Sequence, residues 1–423
     1  MSLLNSVTSW LFRRRSAGWG GFRMYGANTE FNNYGDYKTK VNAILSNPAL
    51  LKVFALQCDL FSLGRIEVVQ TVNGKEKVIM DDPALEIFTN PNLFQTKSQI
   101  LWDIMFWNMV GNAYNYLDSD IATNMDNKMY CLDASKIEFP IELKQMMDKI
   151  ILSKASEKAI MDQTITYRYS DGTSISFPLS RLITISDLTN GIGNWLKSPS
   201  RIDALYKVIS NTEAALDATN INTRFSGKFM VAGTTDANDV NRLMLSKDER
   251  EDIEDKAQGP REVYGVKSLV EVKRFVEDIG ALKLDETYRS AYFTIANMYG
   301  IPKEVAEAYL EGSTFENQEK ATGRHVAYTL EPKGEDIGAR IAKRFKYNLD
   351  NKKIRISWNH LMFMQVFRSE QAKANKIIAD TFKVLLDQGV ELQEVNEFLG
   401  TKFQTGEKNA NPSIINQPVT NAA

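Results

Sequence analysis

The chain has 423 residues, 43% hydrophobic and 25% charged, which is typical of a globular protein and excludes one that is mainly disordered. The 51 Lys and Arg residues nearly balance the 53 Asp and Glu residues, so the formal net charge of −2 excludes a strongly basic chain that holds nucleic acid tightly. Cys58, Cys131, His325 and His360 are too scattered for a zinc site, a disulfide framework or a Cys–His nucleophilic pair. We therefore expect no metal, no cofactor and two cysteines that act as small buried apolar residues.

The first 37 residues predict an irregular N-terminal arm, because they are rich in Gly and Asn, which favour turns. The apolar start of the arm precedes Arg13, Arg14 and Arg15, whereas a secretory signal peptide has its basic residues before the apolar run. No stretch approaches the roughly 18 consecutive apolar residues of a membrane-spanning helix. We expect neither a signal peptide nor a membrane partner.

Residues 38–190 predict an α+β region with a mostly antiparallel sheet. Two β-hairpins are expected at Asn73-Gly74 and Asp171-Gly172, because both dipeptides favour tight turns between strands. The remaining elements of this region are two helices over 38–61 separated at Pro48, a helical turn over 85–88, a helix over 98–110, and strands over 66–72, 77–80, 113–117, 129–139 and 164–187.

Two long helices with a small module between them are predicted next. Ser198 as the cap and Pro199 at the first helical position predict a helix to about residue 223, roughly 37 Å long at ~1.5 Å per residue. A second helix over 282–299 ends at Gly300, because a C-terminal glycine terminates helices. The module between them is predicted to contain a strand over 228–231, an acidic helix over 246–256 and strands between 263 and 276.

A third helix is predicted to begin near Thr314, after a short helix and the loop 310–314. Pro332 lies in its path, and we expect a kink or an interruption there, because proline lacks the backbone N–H and clashes with the preceding turn. Residues 369–399 predict a helical pair broken at Gln388-Gly389. The Asn-, Gln- and Pro-rich tail 403–423 predicts disorder.

The short motifs for nucleotide or metal chemistry are incomplete. Gly191-Ile-Gly193 opens like a dinucleotide-binding loop, but Leu196 occupies the place of the third glycine. The glycines at 259 and 265 have the wrong spacing for a phosphate-binding loop. The carboxylate pairs Asp81–Asp82 and Asp118–Asp120 lie in predicted turns, where solvated carboxylates are commoner than metal ligands. A nuclease would instead bring acidic residues together at a metal site.

Several motifs in a fixed order make the sequence resemble the portal proteins of tailed bacteriophages. The motifs span most of the chain and are Gly111-Asn-Ala-Tyr114 after an apolar helix, 185–193 leading into Ser198-Pro199, 295–302, 313–319 followed by 329–332, and Gly389-Val390 with Asn396-Glu397. The sequence departs from the family at Trp358 and Leu392, where Phe and Thr are often found.

The resemblance implies an α+β portal-type subunit with an α/β wing, long stem helices, a small α/β clip, a kinked channel helix and a helical C-terminal region. The segments expected by analogy are the N-terminal arm 1–37, the wing 38–197, the first stem helix 198–223, the clip 224–281, the second stem helix 282–300, the tunnel loop and kinked channel helix 301–347, the C-terminal wing or crown helices 348–402 and the disordered tail 403–423.

The resemblance also implies a function without an active site. Portal subunits form a dodecameric ring at one capsid vertex, and double-stranded DNA passes through it during packaging and ejection. The expected partners are further copies of the chain, weakly and non-specifically held DNA, the terminase large subunit, the major capsid protein and the head–tail adaptor. The expected location is the virion, after assembly in the host cytoplasm. A near-neutral chain suits a conduit that must let DNA slide.

Two groups of residues are candidate sites by this analogy. The tunnel loop would project towards DNA, and its Glu311 and Glu316 would repel phosphate. The tunnel-loop candidates are Tyr309, Leu310, Glu311, Gly312, Ser313, Thr314, Glu316 and Asn317. The clip would meet the terminase and later the adaptor through an acidic helix face, and its candidates are Lys247, Asp248, Glu249, Glu251 and Asp252.

Two other hypotheses stay open at the level of sequence. The first is an enzyme that processes nucleic acid through a metal held by carboxylates, which predicts a stable monomer with magnesium-dependent nuclease activity. The second is a head–tail adaptor or another tail structural protein, which also forms rings but lacks long stem helices with an embedded module. The loop near 309–316 also has a plainer interpretation as a surface turn before a helix.

Overall fold

The computed structural model describes residues 36–72, 75–119, 127–148, 157–189, 195–225, 229–233, 270–274, 284–311, 315–389 and 391–399. The acidic helix 246–256, the C-terminal tail and residues 1–35 of the predicted N-terminal arm lie outside these residues. The arm was predicted to extend too far, because Asp36 caps the first helix and Tyr37 begins it.

The described residues form helices and short strands that alternate along the chain. The helices are α1 (Tyr37–Ser46), α2 (Pro48–Ser62), α3 (Pro83–Thr89), α4 (Lys97–Val110), α5 (Ile141–Asp148), α6 (Glu157–Met161), α7 (Arg201–Ala204), α8 (Tyr206–Phe225), α9 (Leu284–Met298), α10 (Lys303–Glu311), α11 (Phe315–His325), α12 (Glu331–Arg344), α13 (Met362–Asp387) and α14 (Leu392–Leu399). The strands are β1 (Arg65–Val72), β2 (Lys75–Ile79), β3 (Asn112–Leu117), β4 (Met129–Leu132), β5 (Ile137–Glu138), β6 (Thr164–Arg168), β7 (Ser174–Pro178), β8 (Leu182–Ser186), β9 (Phe229–Gly233), β10 (Val270–Arg274) and β11 (Lys352–Ser357).

The first two helices are separated at Pro48, as predicted. The buried Asn47 caps α2, because its Oδ1 accepts the backbone N–H groups of Ala49 and Leu50, both at 3.1 Å. Among the described residues no single helix is long and apolar enough to cross a membrane. Helices α1 and α2 together are long and apolar enough, but a bend of 100° separates them. Nine residues of α2 are buried inside the protein.

The strands form small antiparallel sheets, as the sequence predicts for this region. The strand orders are β11-β1-β2, β4-β3-β8, β5-β6-β7 and β10-β9. The hairpin between β6 and β7 is confirmed, with Gly172 at a φ of +86° in its turn. Strands β1 and β2 also pair as a hairpin, although the predicted turn residues Asn73 and Gly74 lie outside the described residues.

The C-terminal part differs from the expected run of helices, because β11 lies within it and pairs with β1 from Ser357 against Arg65 to Lys352 against Gln70. Ile354 and Ile356 alternate with polar residues, and this period of two was the overlooked strand signal. The last helical pair is confirmed, with Gly389 at a φ of +86° between α13 and α14.

One continuous apolar core joins the N-terminal helices to α9, α12 and β11. Trp358, where the sequence departs from the family pattern, is fully buried and donates from Nε1 to the carbonyl of Leu60 at 2.8 Å. Two glycines of α12 make this packing possible. A Cβ on Gly334 would lie 3.1 Å from the Trp358 ring, and one on Gly338 would lie 2.2 Å from the backbone oxygen of Ile354. Helix α12 therefore lies directly against β11.

The first long helix begins later than predicted. Ser200 is the cap, with its Oγ 3.3 Å from the N–H of Ile202, and the helix is divided at Leu205 into α7 and α8. Ser198 is not a cap, because its N–H and hydroxyl bind the core instead, at 2.7 Å from Asn112 Oδ1 and 2.8 Å from the carbonyl of Gly111.

The interruption expected near Pro332 is confirmed. Helix α11 passes into one π-helical segment, Val326–Leu330, before α12 begins with Pro332 in its first turn. A π-helical turn holds an extra residue, so the direction and register of side chains change between α11 and α12. The chain thus stays helical from α11 to α12, with the π-helical segment as an interruption between them.

Candidate functional site at the base of the helical hairpin

Two long helices form a hairpin on the α+β body. Helix α8 packs along α9, and the strands that continue them, β9 and β10, pair antiparallel from Phe229 against Arg274 to Gly233 against Val270. The chain therefore leaves the body along α8 and returns along α9, with a two-stranded ribbon beyond the helices. The strands predicted at 228–231 and between 263 and 276 are confirmed in part by β9 and β10.

One buried carboxylate joins four elements at the base of this hairpin. Asp187 follows β8, and its side chain is 3% exposed. Arg201, at the start of α7, donates from Nε to the Asp187 Oδ2 at 2.7 Å, and Lys333 of α12 donates to Oδ1. Arg201 also donates from Nη1 to the carbonyl of Met298, at the end of α9, at 2.6 Å. These three charged side chains are called the Asp187 junction below.

Polar contacts also fix the base of α8 to the first two helices. Asn47 Nδ2 donates to Thr212 Oγ1 at 2.7 Å, and both side chains are fully buried. Lys40 of α1 forms an ion pair with Asp203 of α7 at 2.8 Å. Because a buried polar group without a partner is costly, each of these contacts specifies one position of the hairpin on the body.

The Gly300 carbonyl, just after α9, binds two side chains of the interrupted helix. Gly300 has a φ of +75°, which favours glycine, and its oxygen accepts from His325 Nδ1 at 3.0 Å and from Thr329 Oγ1 at 3.2 Å. His325 Nε2 lies 2.9 Å from Gln57 Oε1. Burial lowers the pKa of His325 to about 4, so the ring is neutral at pH 7 and carries a single N–H.

The predicted tunnel-loop residues fall largely in helices. Tyr309, Leu310 and Glu311 form the end of α10, and Glu316 and Asn317 lie in the first turn of α11. The expected loop 310–314 is therefore too wide at its N-terminal side, because α10 continues through residue 311. Gly312, Ser313 and Thr314 lie outside the described residues, between two helix ends.

The predicted clip residues Lys247, Asp248, Glu249, Glu251 and Asp252 also lie outside the described residues. Their place in the sequence is between β9 and β10, and the chain enters and leaves that segment through the ribbon.

Two carboxylates from the pairs that were considered for metal chemistry, Asp82 and Asp118, serve as structural groups. Asp82 is buried and caps α3 through the N–H of Ala84 at 3.0 Å, while Tyr347 and Lys352 donate to the same carboxylate. Asp118 accepts the N–H of Lys128 at 2.6 Å. Asp120 lies outside the described residues, within which no cluster of three or more His, Cys, Asp or Glu side chains is placed to hold a metal ion.

The two cysteines, Cys58 and Cys131, are free thiols that form no disulfide. Cys58 is buried and Cys131 half-buried, and burial raises the pKa of both thiols well above the ordinary value. The residues of the Asp187 junction were not predicted as functional. Asp187 lies inside the quoted motif 185–193 and Lys333 follows Pro332, yet their contact spans 146 positions, which no short motif reveals.

The fold and the hairpin define a class of protein. An α+β body that carries a helical hairpin, a distal ribbon and an interrupted helix has the organisation of a portal-type subunit. The family described as phage portal protein matches residues 62–381 of the sequence. The chain belongs to the phage portal protein family, which is a family of structural proteins.

Three solved structures from gene transfer agent (GTA) particles have similar folds, each at 12% sequence identity. The neck of the empty GTA particle computed with C6 symmetry has a TM-score of 0.57, covering 92% of this chain and 98% of that chain. The virion of the native GTA particle has a TM-score of 0.56, and the neck of the native particle computed with C12 symmetry has 0.55. Both cover 94% of this chain and 99% of theirs. A search of curated proteins finds no significant match.

Proposed function

We propose that the chain forms a ring at one capsid vertex, through which double-stranded DNA is packaged and ejected. The observation that carries the proposal is the family match over residues 62–381. The hairpin supports it, because helices with partly exposed sides gain burial when copies stand side by side around a closed ring. Negative-stain microscopy and native mass spectrometry of the purified chain test it. A stable monomer with magnesium-dependent nuclease activity would favour the enzyme hypothesis instead.

The proposed assembly is a dodecamer located in the virion after assembly in the host cytoplasm. Symmetric GTA necks of the same fold support a ring, and C12 is one of the two symmetries used for them. The proposed partners are the major capsid protein, the terminase large subunit and the head–tail adaptor. In this proposal α8 and α9 are the stem helices, β9 and β10 belong to the clip, and α11 with α12 is the channel helix.

We assign the DNA-facing role to the segment between α10 and α11. Glu311 and Glu316 flank it, and carboxylates repel phosphate, so the segment would guide DNA without binding it tightly. Deleting residues 311–314 is expected to leave the ring intact and to lower the amount of packaged or retained DNA. Loss of the ring on deletion would instead assign this segment to packing between copies.

The acidic segment between β9 and β10 is the proposed docking face for the terminase and the adaptor. Reversing the charges of Asp248, Glu249, Glu251 and Asp252 should weaken docking without unfolding the ring, because charge complementarity governs such encounters. Co-sedimentation of the ring with purified terminase large subunit measures the effect. Unchanged docking would remove this face from the candidate interfaces.

No catalytic step is proposed, since a conduit requires none. Incubating the ring with duplex DNA and Mg²⁺ checks this directly, and cleavage that persists after repurification of the ring would contradict it.

A further inference from the structure

A groove of about 460 Å³ lies between the interrupted helix and α13. Tyr328, in the π-helical segment, forms one wall. It is 71% exposed, and its ring meets the Phe367 ring edge to face with the centroids 6.3 Å apart. Glu331, at the start of α12, also lines the groove, and Arg368 of α13 donates to its carboxylate at 3.3 Å. The groove is therefore an apolar slot that contains one carboxylate–guanidinium pair.

The floor of the groove is one face of α13. Met364 and Gln371 line it and are seven residues apart, and positions seven apart on an α-helix lie within ~20° of each other around the axis. The same spacing continues this face to Ile378 and Leu385, which are both half-buried. Helix α14 packs against α13. One stripe of α13 thus carries the groove at its start and half-buried residues at its end.

The middle of this stripe is uncovered. Residues 371–377 of α13 are all exposed. Just before them, α11 packs against α13, where Lys320 forms an ion pair with Glu370 at 2.9 Å. Just after them the half-buried residues begin again at Ile378. The uncovered segment 371–377, which forms the open end of the groove, is called the gap below.

The course of the chain after α13 leads back to the gap. Only residues 388–391 connect α13 to α14, and so short a connection places two helices antiparallel. Val395 of α14 is fully buried, as this packing requires. Because α14 has 8 residues, it ends roughly that many residues back along α13, near Ala379. The chain that follows α14 therefore starts about one helical turn from the gap.

The tail beyond α14 has a residue suited to the groove. Phe403 is the one large apolar residue between positions 400 and 413. It lies four residues after Leu399, which at ~3.3 Å per residue is a reach of up to ~13 Å. That distance equals about nine residues of α13 at ~1.5 Å each, so it extends to the level of Gln371.

The residue before Phe403 adds a matching charge. Burial raises the pKa of Glu331 even though Arg368 donates to its carboxylate, so a second cation would stabilise the charged form. Lys402 supplies one next to the aromatic ring.

We propose that residues 400–405 lie in the groove of their own chain, with Phe403 against Tyr328 and α13 and with Lys402 near Glu331. The chain's own tail is favoured over a second copy, because α14 delivers it to the gap and because a three-residue linker gives an effective concentration of about mM or more. The docked tail would hold the π-helical segment on α13. The predicted disorder would then begin after residue 405. This inference does not depend on the proposed function.

A disulfide between tail and groove tests the proposal in the full chain. The test variant combines Phe403→Cys with Ala372→Cys, because Ala372 lines the groove. The matched control combines Phe403→Cys with Ala374→Cys, which alters another exposed alanine of α13 at roughly 200° around the helix. A disulfide needs Cα atoms within about 7 Å, so mild oxidation should close the test pair about ten-fold faster than the control. Equal rates, or no bond in either variant, would overturn the proposal.

The size of the oxidised product identifies the chain that supplies the tail. A bond within one chain leaves a monomer on a denaturing gel without reductant, which is the expected result. Covalent dimers would show that the tail of a second copy occupies the groove, and they would overturn the proposal. Cys58 and Cys131 are present in both variants, so the comparison with the control accounts for them.

Amide hydrogen exchange tests the contact without new cysteines. Phe403→Ser should speed exchange over residues 371–377 about five-fold, because an uncovered helix opens more often. Ile414→Ser removes another apolar residue of the tail and should leave this exchange unchanged. Faster exchange in Ile414→Ser but not in Phe403→Ser would assign the groove to a later part of the tail. That result, or unchanged exchange in both variants, would overturn the proposal.

Discussion

Neutralising Asp187 tests whether one carboxylate holds the base of the hairpin together. In Asp187→Asn the side chain keeps its shape, while Arg201 and Lys333 lose their counter-charge. Removing one partner from a fully buried pair costs about 3–5 kcal/mol. The side chains of Arg201 and Lys333 are 28% and 20% exposed, so water compensates part of the loss. We expect the free energy of unfolding to fall by about 3 kcal/mol, the lower end of that range.

The matched control is Glu138→Gln, which breaks the ion pair with Arg168 by the same chemical change. The distance between the paired atoms is 2.8 Å, close to that of the Asp187 pair with Arg201, but the two side chains are 63% and 54% exposed. Exposed pairs contribute about 0–1 kcal/mol, so the control should change stability little. Both variants replace a carboxylate with an amide, so the difference between their free energies of unfolding measures the effect of burial.

Urea unfolding at pH 7, followed by circular dichroism and tryptophan fluorescence, measures both variants. The midpoint shift multiplied by the slope of the transition gives the change in free energy. If Asp187→Asn unfolds at the same urea concentration as Glu138→Gln, the junction contributes no more than a surface pair, and the reasoning is wrong.

Three further predictions concern other contacts of the body. His325 binds a proton more weakly when folded, with a pKa of about 4 against 6.5 unfolded, so its contribution is complete above pH 6.5 and is lost as the pH falls towards 4. The loss amounts to about 3 kcal/mol, and urea unfolding at pH 7 and 4.5 should show a smaller decrease for His325→Gln. Gly338→Ala should destabilise by about 1–3 kcal/mol, measured by urea unfolding, because its Cβ would lie 2.2 Å from the oxygen of Ile354. Asn47→Ala should cost about 2 kcal/mol by thermal unfolding, since it removes a helix cap and the bond to Thr212.

Each of these predictions has a contradicting result. An identical pH dependence of wild type and His325→Gln would show that the buried ring does not titrate as described. Wild-type stability of Gly338→Ala would mean that α12 and β11 separate without cost. For Asn47, Asn47→Ser is the comparison, because serine can also cap α2 but lacks the donor to Thr212, so its stability should lie between wild type and Asn47→Ala.

Local signals identified most element boundaries. Asn47-Pro48 separates α1 from α2, Gly300 ends the turn after α9, and Pro332 marks the interrupted helix. Each signal acts within a few residues, through a helix cap, a positive φ or the missing backbone N–H of proline. Such signals can therefore be recognised from the sequence alone.

Signals that compete for the same residue were misjudged. Ser198-Pro199 has the form of a helix start, but Ser198 binds Asn112 and Gly111, and Ser200 caps the helix instead. The cap preference of serine is a local tendency of about 1 kcal/mol, which bonds to a buried strand end exceed. Similarly, α10 extends to Glu311, where a loop was expected.

The sequence by itself determined the class of the elements, the two long helices around a small module, the interruption at Pro332 and the family, because these depend on short motifs and their order. Only the tertiary structure decided that β11 completes the sheet of β1 and that Asp187 joins Arg201 to Lys333. These arrangements join residues far apart in the chain. Their energy comes from burial and from charge pairing at contact distance, neither of which a local pattern encodes.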